Sequence, residues 1–178
     1  MKIGIDISQL AYENTGVANY LSNLIKSVIL LDTKNEYILF YSSLRKISQI
    51  SKFKAQVKSS KVKIKIYPFP PTILDFIWNK LHIFPIEWFI GNIDIFITSD
   101  WTEPPASKAQ KATILYDLIV YKYPNETDAK IVATQKRKLK WVKKESNLIL
   151  CISESTKKDA MENLKLEEKK LHVIYPGI

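Results

Sequence analysis

Seven short apolar runs alternate with helical patterns along this chain, and several of the runs are apolar on both faces. A strand apolar on both faces has to be covered on both. Strands that alternate with helices connect in parallel, so the pattern dictates an α/β domain with a parallel sheet wrapped by helices. The runs are residues 2–7, 36–42, 62–66, 93–98, 112–117, 147–152 and 171–175. One of them, Val62-Lys63-Ile64-Lys65-Ile66, alternates strictly, which gives it one wet face and a place near a sheet edge.

The helices are read from their spacing. Val17, Tyr20, Leu21, Leu24, Val28 and Leu31 recur at three and four residues and predict a helix over 17–31, capped by Asn14 or Thr15. Two short helices are expected around 72–82 and 85–90, separated by Pro85. A long basic helix follows at 128–145, and another runs from Ser153 to about Leu164. A length of 178 residues is one domain, and 46% hydrophobic with 25% charged residues excludes disordered and fibrous classes.

Other classes fall away on single residue types. The lone cysteine, Cys151, cannot close an internal disulfide, and with only two histidines a structural zinc site has too few ligands. That usage fits a reducing, cytoplasmic compartment. The start, Met1 to Asp6, lacks the apolar run of a signal peptide. The greasiest stretch, Phe69 to Thr98, is broken by Asp75, Lys80, His82, Pro85, Glu87 and Asp94 and is not expected to span a membrane. The only glycines are Gly4, Gly16, Gly91 and Gly177, so neither a Walker-type phosphate loop nor a G-x-G-x-x-G fingerprint can be assembled. A G-x-S-x-G elbow is missing as well.

The first positive signal is Gly16, where a helix begins beyond the first strand. Ligands of open parallel sheets sit beyond the carboxyl ends of strands, and free amides at a helix start attract anions. A glycine there can equally serve only to ease the turn.

Longer stretches carry a resemblance. Ile3-Gly4-Ile5-Asp6, then Leu10, Thr15-Gly16-Val17-Ala18-Asn19-Tyr20 and Asn23-Leu24 resemble the opening of retaining glycosyltransferases of the GT-B, family 4 type. Ala112-Thr113-Ile114-Leu115-Tyr116-Asp117-Leu118 with Tyr123-Pro124 is similar to that family's strand ending in His-Asp-Leu before a Tyr-Pro. Ile152-Ser153-Glu154-Ser155-Thr156-Lys157-Lys158-Asp159 and Val173-Ile174-Tyr175-Pro176-Gly177-Ile178 resemble the stretch that leads into its second domain.

The resemblance implies that residues 1–178 are an amino-terminal, Rossmann-like acceptor domain, one half of a GT-B fold. It also implies that the carboxyl-terminal nucleotide-sugar domain is absent, to be supplied in cis or in trans. Sugar transfer to a glycan or glycolipid acceptor would proceed with retention. No cofactor and no metal are implied, the nucleotide-sugar being a substrate.

Carried over residue by residue, Thr15 and Gly16 match the loop that approaches donor phosphate and acceptor. Asn19 stands where many relatives have arginine, and Ser8 likewise replaces an arginine. Asp117 matches the family's aspartate and Tyr116 replaces its more usual histidine, a poor proton shuttle in exchange. Tyr116 and Asp117 are the catalytic candidates. Tyr116 can also be a packed aromatic at a strand end, whereas an aspartate in that place is costly to bury without a partner. Thr15, Gly16, Asn19, Trp101 and Ser153 are the acceptor-binding candidates. Trp101 offers a face to a sugar ring or packs beneath its loop; Ser153 binds or simply caps its helix.

Partners follow from charge. A net charge of +9 draws phosphates, anionic lipid or nucleic acid, or is a composition bias. A basic nucleic-acid module is a rival reading, but no recognised reading motif supports it, so no nucleic-acid partner is expected. The other rival is a non-catalytic subunit of a split glycosyltransferase. Lys136, Arg137, Lys138, Lys140, Lys143 and Lys144 make one helix basic, with Ile131, Leu139 and Val142 facing inward. With Trp78, Phe84, Trp88 and Phe89 exposed, this would suit peripheral contact with the inner, anionic face of a membrane. With those aromatics in the core and the lysines solvated, it would mean nothing of the kind.

Overall fold

The computed structural model describes residues 1–177. Seven strands, β1 (Lys2–Asp6), β2 (Glu36–Ser42), β3 (Val62–Tyr67), β4 (Ile95–Thr98), β5 (Gln110–Leu115), β6 (Leu148–Cys151) and β7 (Leu171–Val173), form one sheet ordered β3-β2-β1-β4-β5-β6-β7. Every neighbouring pair is parallel, with Ile3 beside Tyr37 on one side and Ile95 on the other. The fold is a Rossmann-like α/β sheet flanked by helices on both faces. β3 takes an edge, as its alternation predicts, with Lys63 and Lys65 exposed.

The side-chain period of two sends alternate residues of β2 to opposite layers. Tyr37, Leu39 and Tyr41 pack under α1 (Gly16–Leu31) and α2 (Ile50–Gln56) with Leu21, Ile25, Ile50 and Phe53. Ile38 and Phe40 face the other way, onto Leu74, Trp78, Ile86, Ile90 and Phe96. Those residues come from α3 (Pro71–Leu74), the π-helical turn Asp75–Lys80 that continues it, α4 (Glu87–Ile90) with Ile86 just before it, and β4. A third cluster joins α5 (Ile119–Lys122), α6 (Ala129–Glu145) and α7 (Glu154–Leu164) to β6. Each fully buried large side chain contributes about 1.5–3 kcal/mol.

Thr15 is the cap of α1: its Oγ1 accepts from the Ala18 amide at 3.2 Å, while Asn14 takes a left-handed turn at φ 67° that asparagine tolerates. The expected helix over 72–82 is instead one α turn widened into a π turn, which buries the adjacent Trp78 and Asn79 together. No described helix is long and apolar enough to cross a membrane.

Glu87 pins the loop before β5. Its carboxylate accepts from the amides of Ser107, Lys108 and Ala109 at 2.9–3.1 Å. Burial works against its ionisation, but those amides outweigh it and hold the carboxyl below its ordinary 4.5. A group depressed in the folded state stabilises above its unfolded value and loses that contribution as pH falls through the folded one. Glu87→Gln is therefore expected to cost about 1–2 kcal/mol at neutral pH, after allowance for solvent screening. The deficit should shrink as pH drops below 4.5. Urea unfolding of both proteins across that range checks it, and a pH-independent deficit would refute the assignment.

Candidate functional site

The carboxyl ends of β1, β4, β5 and β6 open onto a crevice beside the boundary between β1 and β4, where successive strands change direction of travel across the sheet. Gly16, Asn19, Tyr116 and Asp117 line one cavity there of about 670 Å³, to which Tyr20, Ile152 and Tyr175 contribute walls. Tyr116 and Asp117 also line a second cavity, of about 200 Å³, with Asp100, Trp101, Gln135 and Lys138. Five of the seven sequence candidates therefore meet around the end of β5, with Tyr116 and Asp117 shared by both cavities.

The other two are occupied in capping. The Thr15 hydroxyl donates to the Tyr12 carbonyl at 2.9 Å as well as capping Ala18. Ser153 Oγ accepts from the Thr156 amide at 3.1 Å and opens α7, and the Thr156 hydroxyl donates to the Tyr116 carbonyl at 3.0 Å. Neither side chain lines either cavity.

Gly16 has ordinary helical geometry, and a Cβ built on it would meet nothing within 4 Å. Neither its conformation nor internal packing requires glycine there. The opening it leaves faces the larger cavity.

Tyr116 is packed, 7% exposed, edge-on to Tyr20 with ring centroids 5.7 Å apart, and its hydroxyl lies 3.1 Å from Ser99 Oγ. Burial pushes its phenol well above the ordinary value, so near neutrality it is a neutral hydrogen-bonding group and no base. Asp117 corrects the sequence expectation: it is exposed, one oxygen accepting from the Ile119 amide at 3.1 Å, so the cost of burial does not apply to it.

That cost applies to neighbours that sequence reading passed over. Asp6 is 4% exposed, and burial raises its carboxyl although Ser8 and the charge of Lys138 pull it down. Asp100 is raised by burial too, against Lys138 and a 3.0 Å hydrogen bond from Gln135. Lys138 itself is 2% exposed and donates to the Ser99 carbonyl. Burial lowers its ammonium, while Glu103, Asp100 and Asp6 hold it up. The basic helix is thus not uniformly solvated: Lys138 turns inward where Ile131, expected inside, is 39% exposed. The signal lay in position, because Lys138 shares an arc with Gln135 and Val142.

Beneath the 99–103 loop lies a second buried charge system. Glu103 is fully buried, its Oε1 2.8 Å from Lys111 Nζ, its Oε2 accepting from the Thr98 hydroxyl at 2.6 Å. Asn79 accepts from the Glu103 amide at 2.9 Å and donates to the Trp101 carbonyl at 2.9 Å. These bonds fix the height of Trp101 over the crevice.

Two further groups are accounted for. Cys151 is buried and its thiol is pushed up to about 11, so it is no nucleophile near neutrality. Among the described residues no three metal-ligating side chains converge.

No protein-family profile matches the chain, and no curated protein sequence does. Among solved structures, a short-chain dehydrogenase from Oenococcus oeni PSU-1 is similar at a TM-score of 0.43 and 14% identity, over 99% of this chain and 80% of that one. A likeness of that size says nothing of chemistry. The fold rests on the sheet's own strand order.

Proposed function

We propose that the chain is the acceptor-side domain of a retaining glycosyltransferase, working with a nucleotide-sugar domain in cis or in trans to build a glycan or glycolipid. The observation that carries this reading is the meeting of Gly16, Asn19, Tyr116 and Asp117 in one cavity at the strand ends. Those four positions come from two stretches a hundred residues apart in sequence that resemble the family's motifs. The open face at Gly16 supports it too, since it leaves room for a ligand to approach the backbone.

In this reading the first-turn amides of α1, of which the Thr15 side chain caps only Ala18's, face the donor diphosphate. Stabilising charge on that leaving group is the main requirement of the reaction. Asp117, exposed on the cavity wall, accepts hydroxyls of the reacting sugars. Tyr116 and Asn19 add neutral hydrogen bonds, and Trp101 borders the acceptor side. Asp100 and Lys138 line the smaller cavity together with Trp101.

The test is transfer of labelled hexose from UDP- and GDP-linked donors by the two domains together. Asp117→Asn is expected to lower turnover by at least about tenfold, one hydrogen-bonding carboxylate being lost, with its urea midpoint unchanged. Unchanged turnover, or an unfolded variant, would remove Asp117 from the reaction. Gly16→Val should fold normally and raise the acceptor KM.

A further inference from the structure

Asp117 is the only charged side chain among the described residues that line the larger cavity. In a chain of net charge +9 that makes this cavity the exception. The smaller cavity holds Lys138, and a groove of about 530 Å³ between the π turn and α6 holds Lys80, Lys130 and Arg137. A phosphate, sulfate or uronate entering the larger cavity meets a carboxylate with no cation beside it, and like charges repel. The first-turn amides of α1 attract anions, but that pull fades within one turn of Gly16. It does not reach Asn23 or Ser27, which line the same cavity.

What the cavity offers instead is neutral and polar. Asn19, Asn23 and Ser27 recur every four residues and stand in one row on α1. From Asn19 to Ser27 the row runs about 12 Å along the helix, longer than one sugar ring. All three side chains are exposed and take no part in the side-chain hydrogen bonds among the described residues. Amides and hydroxyls both donate and accept, which matches the hydroxyl groups of a sugar. The Tyr20 hydroxyl donates to the Ile174 carbonyl at 3.1 Å and ties segment 174–177 to the same helix. Tyr175 of that segment, 63% exposed, adds an aromatic face to the cavity. At about 670 Å³ the cavity has room for more than one ring, within the roughly 300–1,000 Å³ of pockets that take drug-sized ligands.

We propose that the larger cavity receives two consecutive residues of a neutral glycan, the reacting one beside Asp117 and Asn19 and the next along Asn23 and Ser27. Asp117 turns away chains whose last two sugars bear phosphate, sulfate or uronate. Within the acceptor-side reading on which this rests, the acceptor narrows from any glycan or glycolipid to one whose last two sugars carry no charge.

Saturation-transfer NMR titrations on the full chain test it. The probes are trisaccharides of glucose, galactose, mannose and N-acetylglucosamine, the matching monosaccharides, and the acidic trigalacturonate and sialyllactose. At least one neutral trisaccharide is expected to bind, more tightly than its monosaccharide, and neither acidic one. Asn23→Ala/Ser27→Ala should raise that trisaccharide's Kd roughly tenfold, as for two hydrogen bonds lost, and leave the monosaccharide's unchanged. The proposal fails if no neutral trisaccharide binds, if an acidic one binds as well as the neutral, or if the double variant weakens monosaccharide and trisaccharide alike. It fails equally if the double variant binds the trisaccharide like the parent. Both replaced side chains are exposed, and far-UV circular dichroism verifies folding. The transfer assay separates the two readings. Neutral binding without transfer by the two domains together removes the transferase and keeps the site. Transfer to acidic acceptors alone removes the neutral site and keeps the transferase.

Discussion

Replacing Lys111 by methionine is expected to cost about 3–5 kcal/mol of folding stability, the penalty for stripping a buried charge of its partner. Lys111 is 4% exposed and Glu103 is not exposed at all. The ammonium stands 2.8 Å from Glu103 and 2.9 Å from Glu145, joining the loop after β4 to the end of α6. Methionine fills the volume and leaves Glu103 with the Thr98 hydroxyl and the more distant charge of Lys138 but without its direct ion partner. Glu145 suffers less, being nearer solvent and still hydrogen-bonded to His82 at 2.8 Å. Adding Glu103→Gln to Lys111→Met should recover stability, because a neutral amide removes the uncompensated charge. Urea unfolding of the two single variants and the double gives the coupling. A single-variant cost below about 1 kcal/mol, or a double no better than Lys111→Met, would show the pair is not what holds the loop.

Gly4→Val is expected to destabilise by about 3 kcal/mol, the upper part of the usual range for forcing atoms into a filled core. A Cβ on Gly4 would lie 2.8 Å from Ile90 and Phe96 and 2.9 Å from Ile93, closer than carbon atoms approach. Phe96 is fully buried, Ile90 and Ile93 nearly so, and no one of them can move aside without displacing the others. Gly4→Ala should lose somewhat less. Gly16→Ala is the contrast, since nothing lies within 4 Å and alanine suits a first helical turn; stability should hold or rise slightly. Thermal unfolding of the three variants decides. Equal losses at both positions would mean that glycine is needed at Gly16 for the fold, and would remove the case for a ligand approaching there.

The sheet was legible because its information is periodic and local. Doubly apolar strands announce a parallel interior, and strict alternation in 62–66 announces β3 as an edge. α1 and α6 are long enough for their spacing to speak. α2 and α5 are not, since at seven and four residues they have too few turns to set a period. Trp78 and Trp88 are the same letter ten residues apart, one in the core and one in solvent, because the π turn and the left-handed Phe84 decide which way each faces.

The candidate site was legible only in part. Gly16 stood out at a helix start beyond the first strand and Asp117 through resemblance to a family's motifs, and the strand order then accounts for their meeting. Lys111, Lys138 and Glu103 did not stand out, since lysine and glutamate are rarely buried unless paired. The pairing that makes it possible is a contact between distant stretches. Position on the inner arc of α6 was the one sequence clue to Lys138.

The strand order has a consequence for a chain made from its amino terminus on the ribosome. β1 finds β2, and β2 finds β3, soon after they emerge, but the second neighbour of β1, β4, arrives only with Ile95. Until then a three-stranded nascent sheet carries a bare hydrogen-bonding edge along Ile3, Gly4 and Ile5, a run without a charge. Gly4 adds nothing there to deter another chain. Such an edge is a template for misassociation during synthesis. Slowing translation before Ile95 should raise the share of aggregated product, and speeding passage through that interval should lower it.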